Sequence, residues 1–197
     1  MVKINYKNAE VRLDDNVYEP AEDSFLLADA ALEASTDGMR VLEIGTGTGF
    51  VSAVMQANRD VELIATEINP YAAACARHNG VSVIRTNMFE GIREDRHFDL
   101  IMFNPPYLPT SDEEKVPGWL NYAFDGGKDG REAVIRFLER SSNYLREKGT
   151  VLLLISSLTG IDEVKEHMSR HGFESRIIAR TKCSFEELLV IEGKLLT

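Results

Sequence analysis

A four-residue motif in the middle of the chain, Asn104-Pro105-Pro106-Tyr107, combines an amide, a stiff backbone and an aromatic ring. It follows residues 98–103, an apolar run typical of a buried strand. Because the two prolines have no N–H and a fixed φ, the backbone cannot continue a sheet ladder there. The Pro105 carbonyl and the Asn104 side-chain oxygen are therefore acceptors for another molecule, beside the flat face of Tyr107. This arrangement suits a planar –NH2 group, although a Pro-Pro turn that merely ends a strand is the simpler alternative.

The second motif is glycine-rich and spans residues 45–49, between an apolar run at 40–44 and a helical pattern at 50–59. A strand, glycine loop and helix bring a ligand close to backbone N–H groups at the helix N-terminus. The G-x-G-x-G spacing differs from the dinucleotide fingerprint G-x-G-x-x-G. Glu67 ends the next predicted strand, 22 residues after Gly45, where an acid can bind two ribose hydroxyls.

Two further stretches could contact a ligand. Asn87 and Met88 follow a predicted strand at 81–85. The asparagine could accept a hydrogen bond from an adenine amine and the methionine could cover a ring, but a loop asparagine beside a buried methionine explains the pattern equally well. Residues 19–24, Glu-Pro-Ala-Glu-Asp-Ser, are typical of a helix start, because Pro20 fits the first turn and acids favour its positive end.

Composition limits the class of protein. The chain has 197 residues, with 44% hydrophobic and 27% charged residues, which predicts one globular domain. The net charge of −10 disfavours a polyanionic partner on average, although it does not exclude a local basic patch. No apolar run reaches the roughly 20 residues that span a bilayer.

The cysteines, histidines and first residues give weaker expectations. Cys75 and Cys183 are far apart, which favours reduced, structural thiols in a cytoplasmic protein. The first residues lack the apolar core of a signal peptide. His167 and His171 could share a helix face, but no third ligand is evident, so we expect no metal.

Strand and helix patterns alternate along the chain, which predicts a single α/β domain with a Rossmann-like, mostly parallel sheet and helices on both faces. The chain ends with strand, helix, strand, strand, so the last strand is expected to run antiparallel. Ligands bind beyond the carboxyl ends of such strands, where the motifs above converge. A short strand is predicted near 11–13, followed by strands at 40–44, 61–66, 81–85, 98–103, 150–155, 173–179 and 185–192. One helix is predicted to start at Pro20, and the others to span 50–59, 70–79, 131–146 and 161–171.

Residues 108–130 show no periodicity. A long aperiodic segment inside a compact domain is usually functional. Because it follows Tyr107 directly, we expect it to form a substrate loop, and Trp119, Tyr122 and Phe124 argue against a disordered insertion.

Together these motifs resemble a known family. Residues 43–49, Glu67 and Asn104-Pro105-Pro106-Tyr107 (NPPY) look like the seven-stranded, S-adenosylmethionine-dependent methyltransferases. More narrowly, residues 17–24 and 126–132 resemble the archaeal and eukaryotic HemK-like protein-glutamine methyltransferases. Members of that branch methylate the glutamine of the Gly-Gly-Gln motif in translation release factors. The resemblance covers nearly the whole chain, so we expect residues 1–197 to form a single methyltransferase domain. The N-terminal helical domain of the bacterial relatives is not expected, as in the archaeal and eukaryotic branch.

The resemblance implies S-adenosylmethionine as cofactor, S-adenosylhomocysteine as product, and a segment at 1–35 that closes over the cofactor. Ser24 (usually threonine) would contact the methionine end, Glu67 (often aspartate) the ribose, and Asn87 (often aspartate) the adenine. The full set of implied cofactor-binding residues is Ser24, Glu43, Gly45, Glu67, Asn87, Met88 and Asn104.

The chemistry that follows is direct methyl transfer to an amide nitrogen. Asn104 and the Pro105 carbonyl would each accept one hydrogen of the target amide, which would aim the nitrogen and stabilise the positive charge that develops on it. Tyr107 would pack on the planar amide. We therefore expect Asn104, Pro105 and Tyr107 to be catalytic, and Pro106 to complete the substrate-binding motif.

Three alternatives remain open at this stage. The same four-residue motif could serve an adenine amino methyltransferase that acts on flipped bases of DNA or RNA, although a net charge of −10 is poor for phosphate contacts. A lysine of a protein is another acceptor. A non-catalytic scaffold that only binds the cofactor is the alternative from a different class.

A protein partner is also expected. Relatives pair with a small zinc-binding activator that covers apolar surface and adds a strand to the sheet edge. The strand at 81–85 is expected at an edge, and its apolar content fits a covered edge. A homodimer or a twisted, protected edge would explain the same pattern.

Overall fold

The computed structural model describes residues 2–110, 118–119 and 121–196. The chain opens with an antiparallel hairpin of strands β1 (Lys3–Tyr6) and β2 (Ala9–Arg12). Its two-residue turn places Lys7 and Asn8 at positive φ. The sequence predicted only a short strand near 11–13, because β1 is partly exposed and lacks an apolar run.

Seven strands form the central sheet, in the order β5-β4-β3-β6-β7-β9-β8. Every neighbouring pair is parallel except the two pairs that include β9, which runs antiparallel to both of its neighbours. The predicted fold class, with its antiparallel last strand, is therefore confirmed. The strands are β3 (Arg40–Ile44), β4 (Glu62–Glu67), β5 (Val83–Arg85), β6 (Phe98–Phe103), β7 (Leu145–Ser156), β8 (Phe173–Lys182) and β9 (Glu187–Leu195).

Helices cover both faces of this sheet. Successive residues of one strand enter different cores, because their side chains point to opposite faces of the sheet: Leu100 joins one core and Ile101 the other. The first two helices pack on one face and the last two on the other. The helices are α1 (Glu22–Ala34), α2 (Phe50–Asn58), α3 (Pro70–His78), α4 (Asn121–Phe124), α5 (Glu132–Ser141) and α6 (Ile161–Arg170).

The predicted helix at 131–146 is too long. Helix α5 ends at Ser141, and the N–H of Tyr144 then bonds the Ser141 carbonyl in a turn. Leu145 is buried, but it begins β7 and pairs with Phe98 instead of lying on the helix. Leu145 continues the helical spacing of apolar residues, and the turn after Ser141 contains no glycine or proline. The sequence pattern therefore predicted a helix that is too long.

The last two strands are longer than the sequence indicated. Strand β8 continues to Lys182, and β9 spans Glu187–Leu195 instead of 185–192. Phe185 and Glu186 therefore lie in the turn between these strands. Among the described residues, no helix is long and apolar enough to cross a membrane.

Candidate active site

A cavity of about 1270 Å³ opens beyond the carboxyl ends of β3, β4 and β6. Ligand sites usually occupy about 300–1,000 Å³, so this cavity has room for a cofactor and for a substrate side chain. It is lined by all ten site residues that the sequence singled out: Ser24, Glu43, Gly45, Glu67, Asn87, Met88, Asn104, Pro105, Pro106 and Tyr107.

The glycines of the loop at 45–49 have two different tasks. Gly45 and Gly47 adopt left-handed φ of +64° and +57°, which favours glycine, and both line the cavity. Gly49 instead serves packing, because a Cβ there would lie 2.9 Å from Cβ of Ala76 on α3. The loop thus presents backbone to the cavity while α2 and α3 stay close together.

Glu67 connects the end of β4 to this loop. Its carboxylate accepts hydrogen bonds from the backbone N–H groups of Gly47 and Asn69, each at 2.8 Å. Burial raises the pKa of Glu67, and these hydrogen bonds oppose the rise. A carboxylate held in this position on the cavity wall fits the predicted contact with ribose hydroxyls.

Glu43 holds the loop from the other side. It is buried at the end of β3 and accepts hydrogen bonds from the hydroxyls of Thr46, at 2.7 Å, and Ser52. Burial raises the pKa of Glu43 to about 7, against the effect of these hydrogen bonds. The side chain therefore links the glycine loop to the first turns of α2.

Asn104 is held in one orientation. Its Nδ2 donates a hydrogen bond to Oδ2 of Asp23 at 2.9 Å. Since a carboxylate only accepts, the amide nitrogen must face Asp23 and the amide oxygen must face away. That oxygen, Oδ1, is buried and has no hydrogen-bond partner among the residues that the structure describes. Buried acceptors are normally paired, so this oxygen is available to a ligand.

Asp23 is a site residue that was not recognised from the sequence. It is 3% exposed, and its Oδ1 accepts hydrogen bonds from the Ser24 backbone N–H at 2.6 Å and the Ser24 hydroxyl at 3.1 Å. The hydroxyl of Tyr18 adds a third, at 3.3 Å. The acid in the first turn of a helix looked like a partner of the helix dipole. One feature of the sequence could have indicated its role. Asp23 directly precedes Ser24, which the family resemblance already assigned to the cofactor.

The backbone of the NPPY motif is braced by the segment 126–130. The N–H of Gly126 donates to the Leu108 carbonyl at 3.0 Å, and a Cβ at Gly126 would lie 2.9 Å from the carbonyl oxygen of Pro106. Gly130 has a φ of +71°, and a Cβ there would overlap the carbonyl oxygen of Tyr107. The Pro105 carbonyl oxygen receives no hydrogen bond from the described residues, which leaves it available as the second predicted acceptor.

Tyr107 completes this wall as a neutral ring. Burial, followed by the negative charge of Asp23 and the neighbouring Tyr18, raises the pKa of its hydroxyl well above the usual value. The Thr159 hydroxyl lies 3.4 Å from the Tyr107 carbonyl oxygen. The ring is therefore suited to packing rather than to proton transfer near neutral pH.

Asn87 and Met88 also line the cavity. Met88 has a positive φ of 51°, and Oδ1 of Asn87 lies 3.4 Å from a guanidinium nitrogen of Arg136. The adenine contact remains a prediction for both residues. Of the predicted substrate loop at 108–130, residues 111–117 and 120 lie outside the described part; Trp119, Tyr122 and Phe124 line the cavity.

The two spaced histidines do not form part of this site. Nδ1 of His171 lies 2.8 Å from the backbone carbonyl oxygen of His167, within one helix turn. In the described residues, no group of three or more His, Cys, Asp or Glu side chains could hold a metal ion.

Comparison with known proteins identifies the family to which the chain belongs. A family model for the methyltransferase small domain matches residues 22–117. A protein of Methanocaldococcus jannaschii, provisionally named a protein N5-glutamine methyltransferase, is 43% identical over 96% of this chain and 98% of its own length. The chain belongs to the HemK-like protein-glutamine methyltransferases. Human methyltransferase HEMK2, another member, is 34% identical over 90% of this chain and 89% of its own length.

A solved structure extends the comparison to a complex. The structure of the E. cuniculi Mtq2–Trm112 complex, described as responsible for methylation of the translation termination factor eRF1, is similar with a TM-score of 0.76. The identity is 26%, and the match covers 92% of this chain and 99% of the other. This HemK-like chain therefore shares its fold with a methyltransferase whose structure includes a second protein.

Proposed function

We propose that this chain transfers a methyl group from S-adenosylmethionine to the side-chain nitrogen of a glutamine in a translation release factor. The observation that carries the proposal is the buried, unpaired Oδ1 of Asn104, which Asp23 holds in an orientation that suits a donor from the substrate. The names of the relatives support the choice of a glutamine over the exocyclic amine of a base.

The residues that line the cavity fit the cofactor. The left-handed glycines Gly45 and Gly47 leave room for close approach of a ligand, and Glu67 offers a carboxylate to a ribose. Ser24 would lie at the methionine end, while Asn87 and Met88 would lie at the adenine. When bound, S-adenosylmethionine supplies a methyl group on a sulfonium that needs no further activation.

The chain's own residues position the acceptor. An amide nitrogen is a poor nucleophile, since its lone pair is delocalised into the carbonyl. Oδ1 of Asn104 accepts one hydrogen of the target amide and the Pro105 carbonyl accepts the other, so both acceptors stabilise the positive charge that develops on nitrogen. The methylated nitrogen then releases one of these two hydrogens as a proton, which leaves a neutral amide. The neutral ring of Tyr107 packs on the amide plane and excludes water.

A small protein partner at the edge strand is part of the proposal. Strand β5 lies at the sheet edge, as expected, and Ile84 on it is 37% exposed. Beside it lies a hollow of about 390 Å³ whose apolar side chains include Ile64 and Ile92. Unpaired strand edges and exposed apolar surface favour a partner that adds a strand. A zinc-binding activator of the kind expected from the resemblance, comparable to Trm112 in the E. cuniculi complex, would cover both features.

The proposal is tested by transfer of labelled methyl groups. The purified chain, with and without the activator, is incubated with a release factor, with its Gly-Gly-Gln→Gly-Gly-Ala variant and with duplex DNA. Label on the release factor that disappears in the alanine variant supports the proposal. Label only on DNA overturns it in favour of an adenine amino methyltransferase, and label that survives in the alanine variant points to lysine or another residue.

A further inference from the structure

The turn between β8 and β9, residues 183–186, contributes Glu186 to the wall of the cavity. The N–H of Cys183 donates to the Glu186 carbonyl at 2.9 Å, which closes the turn. Glu186 lines the cavity, and its negative charge is close enough to contribute to the raised pKa values of Tyr18 and Tyr107. The turn therefore lies beside the ring that is expected to pack on the substrate.

One carboxylate oxygen of Glu186 lacks a hydrogen-bond donor among the described residues. This oxygen, Oε2, is buried. The next acid along the chain shows the usual alternative: Glu187 pairs with Arg180 at 3.1 Å. Burial of an unpaired carboxylate oxygen is unfavourable, so its presence in a functional cavity indicates a donor that arrives with the substrate.

Phe185, at the tip of the same turn, is 95% exposed. Single exposed apolar residues are common on protein surfaces and need no explanation by themselves. This one directly precedes Glu186, which lines the cavity, and Tyr122 on the cavity wall is also largely exposed. Exposed aromatic side chains beside a binding cavity are frequent anchors for a protein partner.

We propose that Glu186 is a substrate-binding residue whose Oε2 accepts a hydrogen bond from a main-chain N–H next to the target glutamine, and that Phe185 packs against the folded surface around it. The inference rests on the proposed function and adds how the substrate is held. A main-chain donor is preferred to a cationic side chain, because glycines beside the glutamine let the backbone approach the turn closely.

Steady-state kinetics with two substrates separate these roles. A Gly-Gly-Gln peptide and a folded release factor are compared for wild type, Glu186→Ala, Phe185→Ala and the control Glu187→Ala. Glu186→Ala is expected to raise KM about tenfold or more for both substrates with little change in kcat. Phe185→Ala is expected to raise KM only for the folded protein, and Glu187→Ala is expected to resemble wild type.

A modified peptide identifies the donor. N-methylglycine in place of the glycine before the glutamine removes one N–H, and it should impair wild type but add nothing to the defect of Glu186→Ala. If replacement of a basic residue in the substrate, rather than N-methylation, cancels the difference between wild type and Glu186→Ala, the main-chain donor is wrong.

Two further measurements complete the test: the free energy of unfolding of Glu186→Ala, and the activity of wild type on the release factor. Loss of an unpaired buried carboxylate should leave the free energy of unfolding of Glu186→Ala equal to wild type or higher. A clear loss of stability, or kinetics equal to those of Glu187→Ala, overturns the inference while leaving the proposed function intact. Failure of the wild type to methylate the release factor, with activator present, overturns both.

Discussion

The amide nitrogen of Asn104 lies 2.9 Å from Oδ2 of Asp23, although the two residues are 81 positions apart in the chain. This hydrogen bond joins the end of β6 to the first turn of α1. Because Oδ1 of the same aspartate is held by Ser24, neither side chain is free to turn. The pair therefore links the segment predicted to close over the cofactor with the motif predicted to bind the substrate.

The first prediction concerns this pair. Asp23→Asn replaces a pure acceptor by an amide that can also donate, so the Asn104 amide loses its single orientation. We expect kcat to fall by about tenfold to a hundredfold, with a smaller change in KM, because misplacement of a positioned group costs about that much. Steady-state kinetics measure this. Glu22→Gln, the exposed neighbour on α1, is the matched control, and an equal loss there would contradict the assignment.

The second prediction tests the brace behind the NPPY motif. Gly130→Ala places a Cβ against the Tyr107 carbonyl, whereas Gly91→Ala has a similar φ of +77° with nothing within 4 Å. Strain from the left-handed backbone alone costs about 1–2 kcal/mol, and we expect Gly130→Ala to lose more stability and also activity. Urea unfolding and kinetics compare the two variants. Equal losses in both would show that the contact with Tyr107 does not matter.

The third prediction concerns the two types of glycine in the loop. Gly49→Ala forces α2 and α3 apart, which we expect to cost about 1–3 kcal/mol from overpacking in addition to backbone strain. Gly47→Ala meets no atom within 4 Å, so its effect should fall on cofactor affinity more than on packing. Unfolding and calorimetric titration with S-adenosylmethionine distinguish them. A larger loss of stability in Gly47→Ala would reverse the two roles.

The fourth prediction follows from the buried Glu43. Its pKa is raised from 4.5 to about 7, so the folded state binds its proton more tightly than the unfolded chain does. The stability that this provides is complete below pH 4.5 and is lost as the pH rises through about 7. The side chain of Glu43→Gln is neutral at every pH. Across this pH window, the free energy of unfolding of the variant should therefore rise relative to that of wild type by on the order of 3 kcal/mol.

Unfolding of wild type and Glu43→Gln at several pH values measures that difference. Glu33→Gln, at an exposed position on α1, serves as the control for the change from glutamate to glutamine. A flat difference for Glu43→Gln would mean that its carboxyl titrates normally in the folded protein.

Much of the fold was predictable because its signals are local. The buried strands at 40–44 and 98–103 are continuous apolar runs, and the glycine loop and Pro70 mark where helices begin. The end of α5 was missed because Leu145 preserves the helical spacing, and this spacing outweighed the weaker turn signal of Ser142 and Asn143. The first strand, β1, was missed because only its pairing with β2 defines it.

The candidate ligand-binding residues at the ends of strands could be predicted from the sequence, whereas contacts between residues far apart in the chain could not. The motif at Asn104 and the acid at Glu67 follow buried strands, where the topology collects ligand-binding residues. Nothing in the sequence indicates that Asp23 reaches Asn104, since that contact depends on where α1 packs relative to the carboxyl end of β6. The unpaired oxygen of Glu186 was hidden for the same reason.

The most direct test of the account is the variant Asn104→Ala, measured for both turnover and cofactor affinity. If Oδ1 of Asn104 is the acceptor that aims the target amide, kcat should fall by about a hundredfold or more. The Kd for S-adenosylmethionine should stay within about threefold of wild type, since a threefold change is well under 1.4 kcal/mol. Turnover that survives the substitution would contradict the catalytic role. Parallel loss of turnover and cofactor binding would show that Asn104 maintains the structure of the cavity instead.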